Sequence, residues 1–317
     1  MRRLPARFLS EGVHIPVMAA EVVGYLQGCP SGVFLDATVN GGGHTSAIYK
    51  AFKDIFTCVG FDLDGEVIEQ TRQTFKDEGI KADLVKLNFA DIAGYLPMKN
   101  IGSISAILYD LGISSYQIDN PRIGFSYLDD GPLNLSFEDS QTLAAARLIQ
   151  RLSEQKLAEL FKMYGQEPRS KALARAIKNS HNKIETTGQL AAIIRGVVGS
   201  KYFIKTAARV FQSLRIEVND ELGNIQQSLE SVLPLLKPGG KAIVISYHSL
   251  EDGLVKKIFK KYSGKCVCPS NLPECRCGKN NLVRWVTRKP VKPGVDEIAS
   301  NPRARSAKMR VVERVAA

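Results

Sequence analysis

The residues best suited to chemistry stand at the ends of short apolar runs. The stretch "FLDATVNGGGHT" (34–45) carries Asp36 and then Gly41, Gly42 and Gly43. An apolar run leading into glycines is what a cofactor loop at the carboxyl end of a parallel strand requires. Glycine lets the backbone approach a ligand and adopt positive φ. Neither G-x-G-x-x-G nor G-x-x-x-x-G-K-[ST] is present, so a dinucleotide or a nucleoside triphosphate is not indicated. A plain glycine-rich turn is the competing reading.

Three further acids follow the same logic. In "GFDLD" (60–64), Asp62 ends an apolar run and can accept both hydroxyls of a ribose, while Asp64 suits a helix N-cap. In "LNFAD" (87–91), Phe89 is placed to flank an adenine and Asp91 to bind its amino group. In "YDLGISSYQ" (109–117), Asp110 sits where ligands bind at the edge of a parallel sheet. A glycine loop, a ribose acid, an aromatic–acid pair and a fourth-strand acid, in that order, suit S-adenosylmethionine. They also leave a face for an acceptor.

The elements that must position these residues are legible. "VFLDATV" (33–39), "FTCVGFD" (56–62), "ADLVKL" (82–87) and "ISAILYD" (104–110) read as buried strands. The segments between them have helical spacing, and one ends at Gly79, a plausible C-cap. Strands alternating with helices predict an α/β fold with a doubly wound, mostly parallel sheet. Residues 139–198 then read as successive helices without a strand signal, with Pro168 suited to a first helical position. An inserted all-helical domain is expected over 131–204, with the α/β domain built from 1–130 and 205–317. "LLKPGG" (235–240) reads as a helix end and turn, "KAIVISYH" (241–248) as a fifth strand. Ser249 reads as the N-cap of the next helix. "LVRWVT" (282–287) and "AKMRVVER" (307–314) read as a closing antiparallel pair.

The 317-residue chain has a net charge of +11, unevenly placed. Residues 1–150 hold 12 Lys and Arg against 18 Asp and Glu; residues 151–317 hold 31 against 14. The resulting +17 in the second part points to a polyanionic partner, and nucleic acid is the usual one. Lys256, Lys257, Lys260 and Lys261 share one wide helical face, and Arg303, Arg305, Lys308 and Arg310 form a second cluster. Both are candidate phosphate contacts, against a simple solvated face. No stretch reaches the length of a membrane span. The basic start, Met1 to Arg7, lacks the apolar segment of a secretory signal; an organellar leader is the alternative.

Cys29 and Cys58 sit singly, as small core residues do. Cys266, Cys268, Cys275 and Cys277 form C-x-C-x6-C-x-C. Four thiolates within twelve residues could hold a structural Zn²⁺, although C-x-C is less diagnostic than C-x-x-C. Reduced or redox-labile thiols are the competing reading.

Taken together, "HIPVM" (14–18), "DATVNGGGHT", "GFDLD", "DLGISSYQID" with "GFSY", "RVFQSLRIEVNDEL" (209–222), "LKPGGKAIVISYHSLED" (236–252) and "NPRARSAKMRVVER" (301–314) closely resemble the bacterial ribosomal RNA small-subunit methyltransferase H family. The resemblance spans nearly the whole chain. It implies a Rossmann-like class I methyltransferase domain with an inserted helical substrate-recognition domain. It also implies methylation of a cytidine N4 in the decoding centre of 16S ribosomal RNA, with the RNA or the 30S subunit as partner. It places the protein in the bacterial cytoplasm; the mitochondrial matrix is the alternative. The family's S-adenosylmethionine contacts carry over to Gly42, Gly43, His44, Asp62, Phe89, Asp110 and Gln117. No metal is expected in the catalytic site.

The implied chemistry suits Asp110. The exocyclic amine of cytosine is a poor nucleophile because its lone pair is conjugated into the ring. A site must accept hydrogen bonds from the amine and hold it in line with a sulfonium methyl. Asp110 is the candidate acceptor and catalytic base. The base must be unstacked or presented by the RNA fold, and Tyr109, Tyr116 and Phe125 are candidate stacking partners. Each has a packing role as its alternative. The sequence also departs from the family. Where the family reads G-P-L-D-M-R-M, this chain reads "GPLNLSF" (131–137): Asn134 replaces an acid and Ser136 an arginine. Tyr116 stands where proline is usual. These departures leave a second reading open, a non-catalytic ribosome-assembly factor that keeps cofactor binding.

Overall fold

The computed structural model describes residues 16–113, 124–138, 141–268, 276 and 280–316. The basic start, Tyr116, Gln117, Cys275 and Cys277 lie outside them. The chain divides into two compact units. One comprises the residues up to Gly112 and from Leu222 onward; the other runs from Ile113 to Glu221.

The first unit is built on seven strands among the described residues. They are β1 (Gly32–Asp36), β2 (Phe56–Asp62), β3 (Ala82–Lys86), β4 (Ile104–Asp110), β5 (Leu236–Ser246), β6 (Val283–Trp285) and β7 (Lys308–Arg314). Their order is β3-β2-β1-β4-β5-β7-β6. The first five are parallel, whereas β7 runs antiparallel between β5 and β6. The sheet is therefore mostly parallel and doubly wound, as the alternation of strands and helices predicts. The C-terminal pair is antiparallel as expected, with β7 inside the sheet and β6 at its edge.

Alternate residues of the strands feed opposite faces. Leu35, Val59, Phe61, Ile107, Tyr109 and Val244 belong to one core. Phe34, Cys58, Ala106, Leu108, Ile243 and Ile245 belong to the other. Helices α4 (Ile92–Met98), α10 (Glu221–Val232) and α11 (Ser249–Tyr262) supply apolar residues to the first core. Helices α1 (Ala19–Leu26) and α2 (Gly43–Phe52) cover the second. All seven residues of β4 are buried, because it is central and covered on both sides. Helix α3 (Gly65–Glu78) starts as expected: the Asp64 side chain accepts the N–H groups of Glu66 and Val67. It ends at Gly79, whose φ of 67° is a left-handed C-cap.

Three local expectations are corrected. "LLKPGG" is not simply a turn, because β5 already begins at Leu236. The strand bulges: Ile104 faces Leu236, and then Ala106 faces Lys241. A Cβ at Gly240 would meet the carbonyl oxygens of Lys237 and Ser105 at 2.8 Å, so only glycine fits the bulge. The N-cap of α11 is His248 rather than Ser249, with Glu251 closing a capping box. Pro168 precedes its helix by two residues.

The second unit is helical: α5 (Ala144–Arg151), α6 (Glu154–Gly165), α7 (Ser170–Lys178), α8 (Thr187–Val198) and α9 (Ser200–Asn219). Its core gathers Leu157, Phe161, Leu173, Ile194, Phe203 and Val210. Thr186 and Gln189 form a capping box at the start of α8. The limits 131 and 204 both fall inside this unit, because Phe125 and Leu133 join its core before α5 and Val210 and Leu214 continue it in α9.

Candidate active site at the carboxyl edge of the sheet

The site begins with the backbone after β1. Asn40, Gly41 and Gly42 have φ of 46°, 90° and 82°, three left-handed residues in a row. Only glycine and, less readily, asparagine accept this conformation. Gly42 is required twice over, since a Cβ there would lie 2.6 Å from Phe75 and Thr71. A Cβ at Gly41 would meet nothing within 4 Å, so the loop faces open space at that point. Gly42 is also the N-cap residue of α2, and Gly43 and His44 form the first turn.

Asn40 ties three strands together. Its backbone N–H donates to Asp62 Oδ2 at 3.0 Å, and its Nδ2 donates to the Asp110 carbonyl at 3.2 Å. Asp62 Oδ1 accepts the Asp64 N–H at 3.0 Å. Both oxygens of Asp62 are thus anchored by backbone donors, to which the Leu63 N–H adds; a carboxylate has about four acceptor sites, so capacity remains for a ligand. Burial raises the Asp62 carboxyl to about 6, although these donors pull the other way.

Asp110 is buried and held on every side. Its N–H donates to Thr38 Oγ1 at 2.7 Å. Tyr247, just past β5, donates its hydroxyl to Asp110 Oδ1 at 2.8 Å. Asp110 Oδ2 is 3.4 Å from His44 Nε2. That contact is misaligned for a hydrogen bond, and neither ring nitrogen of His44 has a hydrogen-bond partner among the described residues. Burial disfavours a charged His44, but Asp110 beside it, with Asp36 and Glu297 further off, more than offsets this. Its imidazole is held above the ordinary 6.5. Asp36 is fully buried behind the loop and accepts the Thr45 hydroxyl at 2.6 Å.

Phe89 lies at the same edge, in a 3-10 turn capped by Asn88. It is half-buried, with its ring set edge-on against Tyr109 at 5.8 Å. Asp91 is exposed in the same turn. Tyr109 is fully buried and its hydroxyl is 2.8 Å from Ser228 Oγ, so it is a packing residue and not a stacking partner for a base. Phe125 is likewise packed, stacked on Phe137 in the helical unit. Sequence reasoning missed Asn40, Thr38 and Tyr247. An asparagine before glycines and a tyrosine ending a strand were the available signals, and both are common in ordinary turns.

Other candidates separate. Arg310 is buried and bound bidentately to Asp252, at 2.7 and 3.1 Å, which removes it from the phosphate contacts. Lys308 also faces Asp252, at 3.7 Å. Arg303 and Arg305 are exposed, as are Lys256, Lys257 and Lys260; Lys261 pairs with Glu230. Asn134 Oδ1 accepts the N–H of Ala144 at the start of α5, so the acceptor oxygen retained there has a capping use. Ser136 is buried and accepts the Glu138 N–H. Cys58 is a buried core residue and Cys29 packs beside the same core. Cys266 is exposed, and Cys268 Sγ accepts the Arg276 N–H at 3.3 Å.

The doubly wound sheet, with its antiparallel seventh strand and a glycine loop, ribose-type acid and fourth-strand acid on one edge, defines a class I methyltransferase. The residues fit S-adenosylmethionine: an open glycine backbone, an acid with spare lone pairs, and a buried histidine whose nitrogens lack partners. The profile of the MraW methylase family matches residues 11–315. A ribosomal RNA small subunit methyltransferase H of Halothermothrix orenii is 41% identical over 95% of this chain and 98% of that protein. One of the same name from Geobacter sulfurreducens is also 41% identical, over 95% of this chain and 99% of that protein. Among solved structures, an rRNA methylase from Streptococcus thermophilus shares 9% identity over 96% of this chain and 100% of that one, with a TM-score of 0.44. The chain belongs to the MraW methylase family and is an S-adenosylmethionine-dependent methyltransferase. No helix among the described residues is long and apolar enough to cross a membrane.

Proposed function

We propose that this chain methylates the N4 exocyclic amine of a cytidine in the decoding centre of small-subunit ribosomal RNA. The observation that carries this reading is the buried Asp110 carboxylate, fixed by Tyr247 and facing His44 beside the glycine loop. The relatives' name supplies the RNA substrate, and the family resemblance supplies the cytidine N4. The reading places the protein where bacterial small subunits assemble, in the cytoplasm.

When bound, S-adenosylmethionine supplies an electrophilic methyl on a sulfonium. The chain's residues do the rest. Gly42 sets the turn, and Gly43 and His44 offer first-turn N–H groups without intrahelical partners, with the His44 imidazole, to the methionine end. Asp62 accepts the ribose hydroxyls with the acceptor capacity left by Asn40, Leu63 and Asp64. Phe89 flanks the adenine, and Gln117 completes the set carried over from the family. Asp110 accepts a hydrogen bond from the cytosine amine, turns its lone pair toward the methyl, and takes the proton released. The helical unit recognises the RNA.

The test is methyl transfer from labelled cofactor to small subunits lacking the modification, read as N4-methylcytidine by mass spectrometry. Product at one cytidine is expected. Cofactor binding by calorimetry without any product would overturn the enzymatic reading in favour of an assembly factor. The substitutions at Asn134 and Ser136 motivate that second reading, although Asn134 does keep the α5 cap.

A further inference from the structure

One surface of the helical unit has no part in the site above. Residues 162–209 carry ten Lys and Arg against two acids, Glu167 and Glu185. Glu167 is buried and pairs with Arg209 at 3.3 Å. The positive charge is therefore largely uncompensated there. Lys162, Arg169 and Lys171 line an open cavity of about 610 Å³. Lys162 and Lys171 are exposed and have no ion-pair partner among the described residues.

An aromatic ring stands beside these cations. Tyr202, in the first turn of α9, is 47% exposed, so its ring is open to solvent. The Arg169 guanidinium lies 5.1 Å from its ring centre and Lys201 Nζ lies 5.5 Å from it. Phe203 next to it is buried, with Arg195 only 3.9 Å from its ring centre, so the backbone that presents Tyr202 is firmly seated. Exposed aromatics among unpaired cations are how proteins hold single-stranded nucleic acid: bases stack on the ring and phosphates meet the charges.

We propose that this surface is an accessory site for single-stranded RNA, with Tyr202 as the platform for one base and Lys162, Arg169 and Lys171 as partners for the flanking phosphates. It rests on the rRNA-methyltransferase reading for the choice of RNA over other polyanions. The site reads the ring face of a base and not its edge, so it adds grip without sequence specificity.

The test uses the full chain and a fluorescent, unstructured 12-nucleotide RNA. Tyr202→Ala is expected to weaken binding by roughly 5- to 150-fold, the range for losing one stacked base. Tyr202→Phe keeps the ring and is expected to bind as wild type does. The double variant Lys162→Gln, Lys171→Gln is expected to lower the slope of log K against log salt by about 1.4, or about 0.7 for each phosphate no longer neutralised. Unchanged helix content by circular dichroism and an unchanged urea midpoint show that each variant is folded. In methyl transfer, KM for small subunits should rise in step with the RNA dissociation constant. Tyr202→Ala binding the RNA within twofold of wild type, Tyr202→Phe losing as much as Tyr202→Ala, or a wild type that binds no RNA, overturns the accessory site. A wild type that binds RNA through Tyr202 yet transfers no methyl overturns the methyltransferase reading and leaves this site standing.

Discussion

His44 Nε2 and Asp110 Oδ2 stand 3.4 Å apart, both buried, in a contact misaligned for a hydrogen bond. The Tyr247 hydroxyl holds the other oxygen of Asp110. A carboxylate fixed on one side and loosely met on the other keeps a lone pair for an incoming donor. Asp110→Ala is expected to reduce methyl transfer by roughly 10²–10⁴-fold, the usual contribution of a positioned base. Asp110→Asn preserves the size and one acceptor but removes the charge, and it should recover little of the loss. Labelled transfer to small subunits measures both. Wild-type turnover in Asp110→Ala would remove Asp110 from the chemistry.

Gly42 is confined by conformation and by space. Its φ is 82°, and a Cβ would lie 2.6 Å from Phe75 and Thr71. Gly42→Ala is expected to cost about 1–2 kcal/mol for the left-handed backbone. Overpacking against α3 adds about 1–3 kcal/mol. Urea unfolding should show a lower midpoint, and calorimetry a weaker cofactor. Gly41→Ala meets open space, so it should show the conformational cost without the clash. Equal losses in the two variants would mean that Phe75 and Thr71 yield freely.

The sheet was legible in the sequence because a buried parallel strand leaves a near-continuous apolar run, as β1, β2 and β4 do; β3, at the sheet edge, carries Asp83 and buries only Leu84, and its signal was weaker. Asp64 and Gly79 were legible because caps follow local rules. The β5 bulge was not, since its glycine packs against Ser105, far away in the chain. Arg310 illustrates the same limit. In sequence it belongs to a run of cations, and only the pairing of β7 with β5 brings it to Asp252. Tyr247 was hidden for that reason too, because its partner Asp110 is 137 residues away.

Asp36 makes stability depend on pH. Its full burial raises the carboxyl from 3.8 to about 6, against the charge of His44 and the hydrogen bonds from Thr45 and Thr38. A carboxyl raised in the folded state contributes stability that is complete below about pH 4 and lost as pH rises through about 6. At about 1.36 kcal/mol per unit, the loss is about 3 kcal/mol. Asp36→Asn has no charge to bury. The stability of wild type relative to this variant should therefore fall by about that amount between pH 4 and pH 7. Urea unfolding at the two pH values measures it. A difference that stays constant would mean that Asp36 is already ionised in the folded protein at pH 4.

Arg310 and Arg305 separate a structural cation from a candidate phosphate contact. Arg310 is 5% exposed and forms two hydrogen bonds to Asp252, whereas Arg305 is exposed. Removing Arg310 takes away two charge-assisted hydrogen bonds to Asp252, which is half-buried and keeps Lys308 at 3.7 Å, at a cost of about 1.5–3 kcal/mol. Arg310→Ala should lower the unfolding midpoint sharply. The slope of RNA affinity against salt should not change in the fraction that stays folded. Arg305→Ala should do the reverse: unaltered stability within about 0.5 kcal/mol, the range for surface changes, and a salt slope smaller by about 0.7. Fluorescence-detected RNA binding at about 50 and 200 mM salt, the span over which phosphate-driven affinity falls steeply, distinguishes the two when set beside urea unfolding. A salt slope that falls in Arg310→Ala would return this residue to the phosphate-binding set from which its pairing with Asp252 removes it.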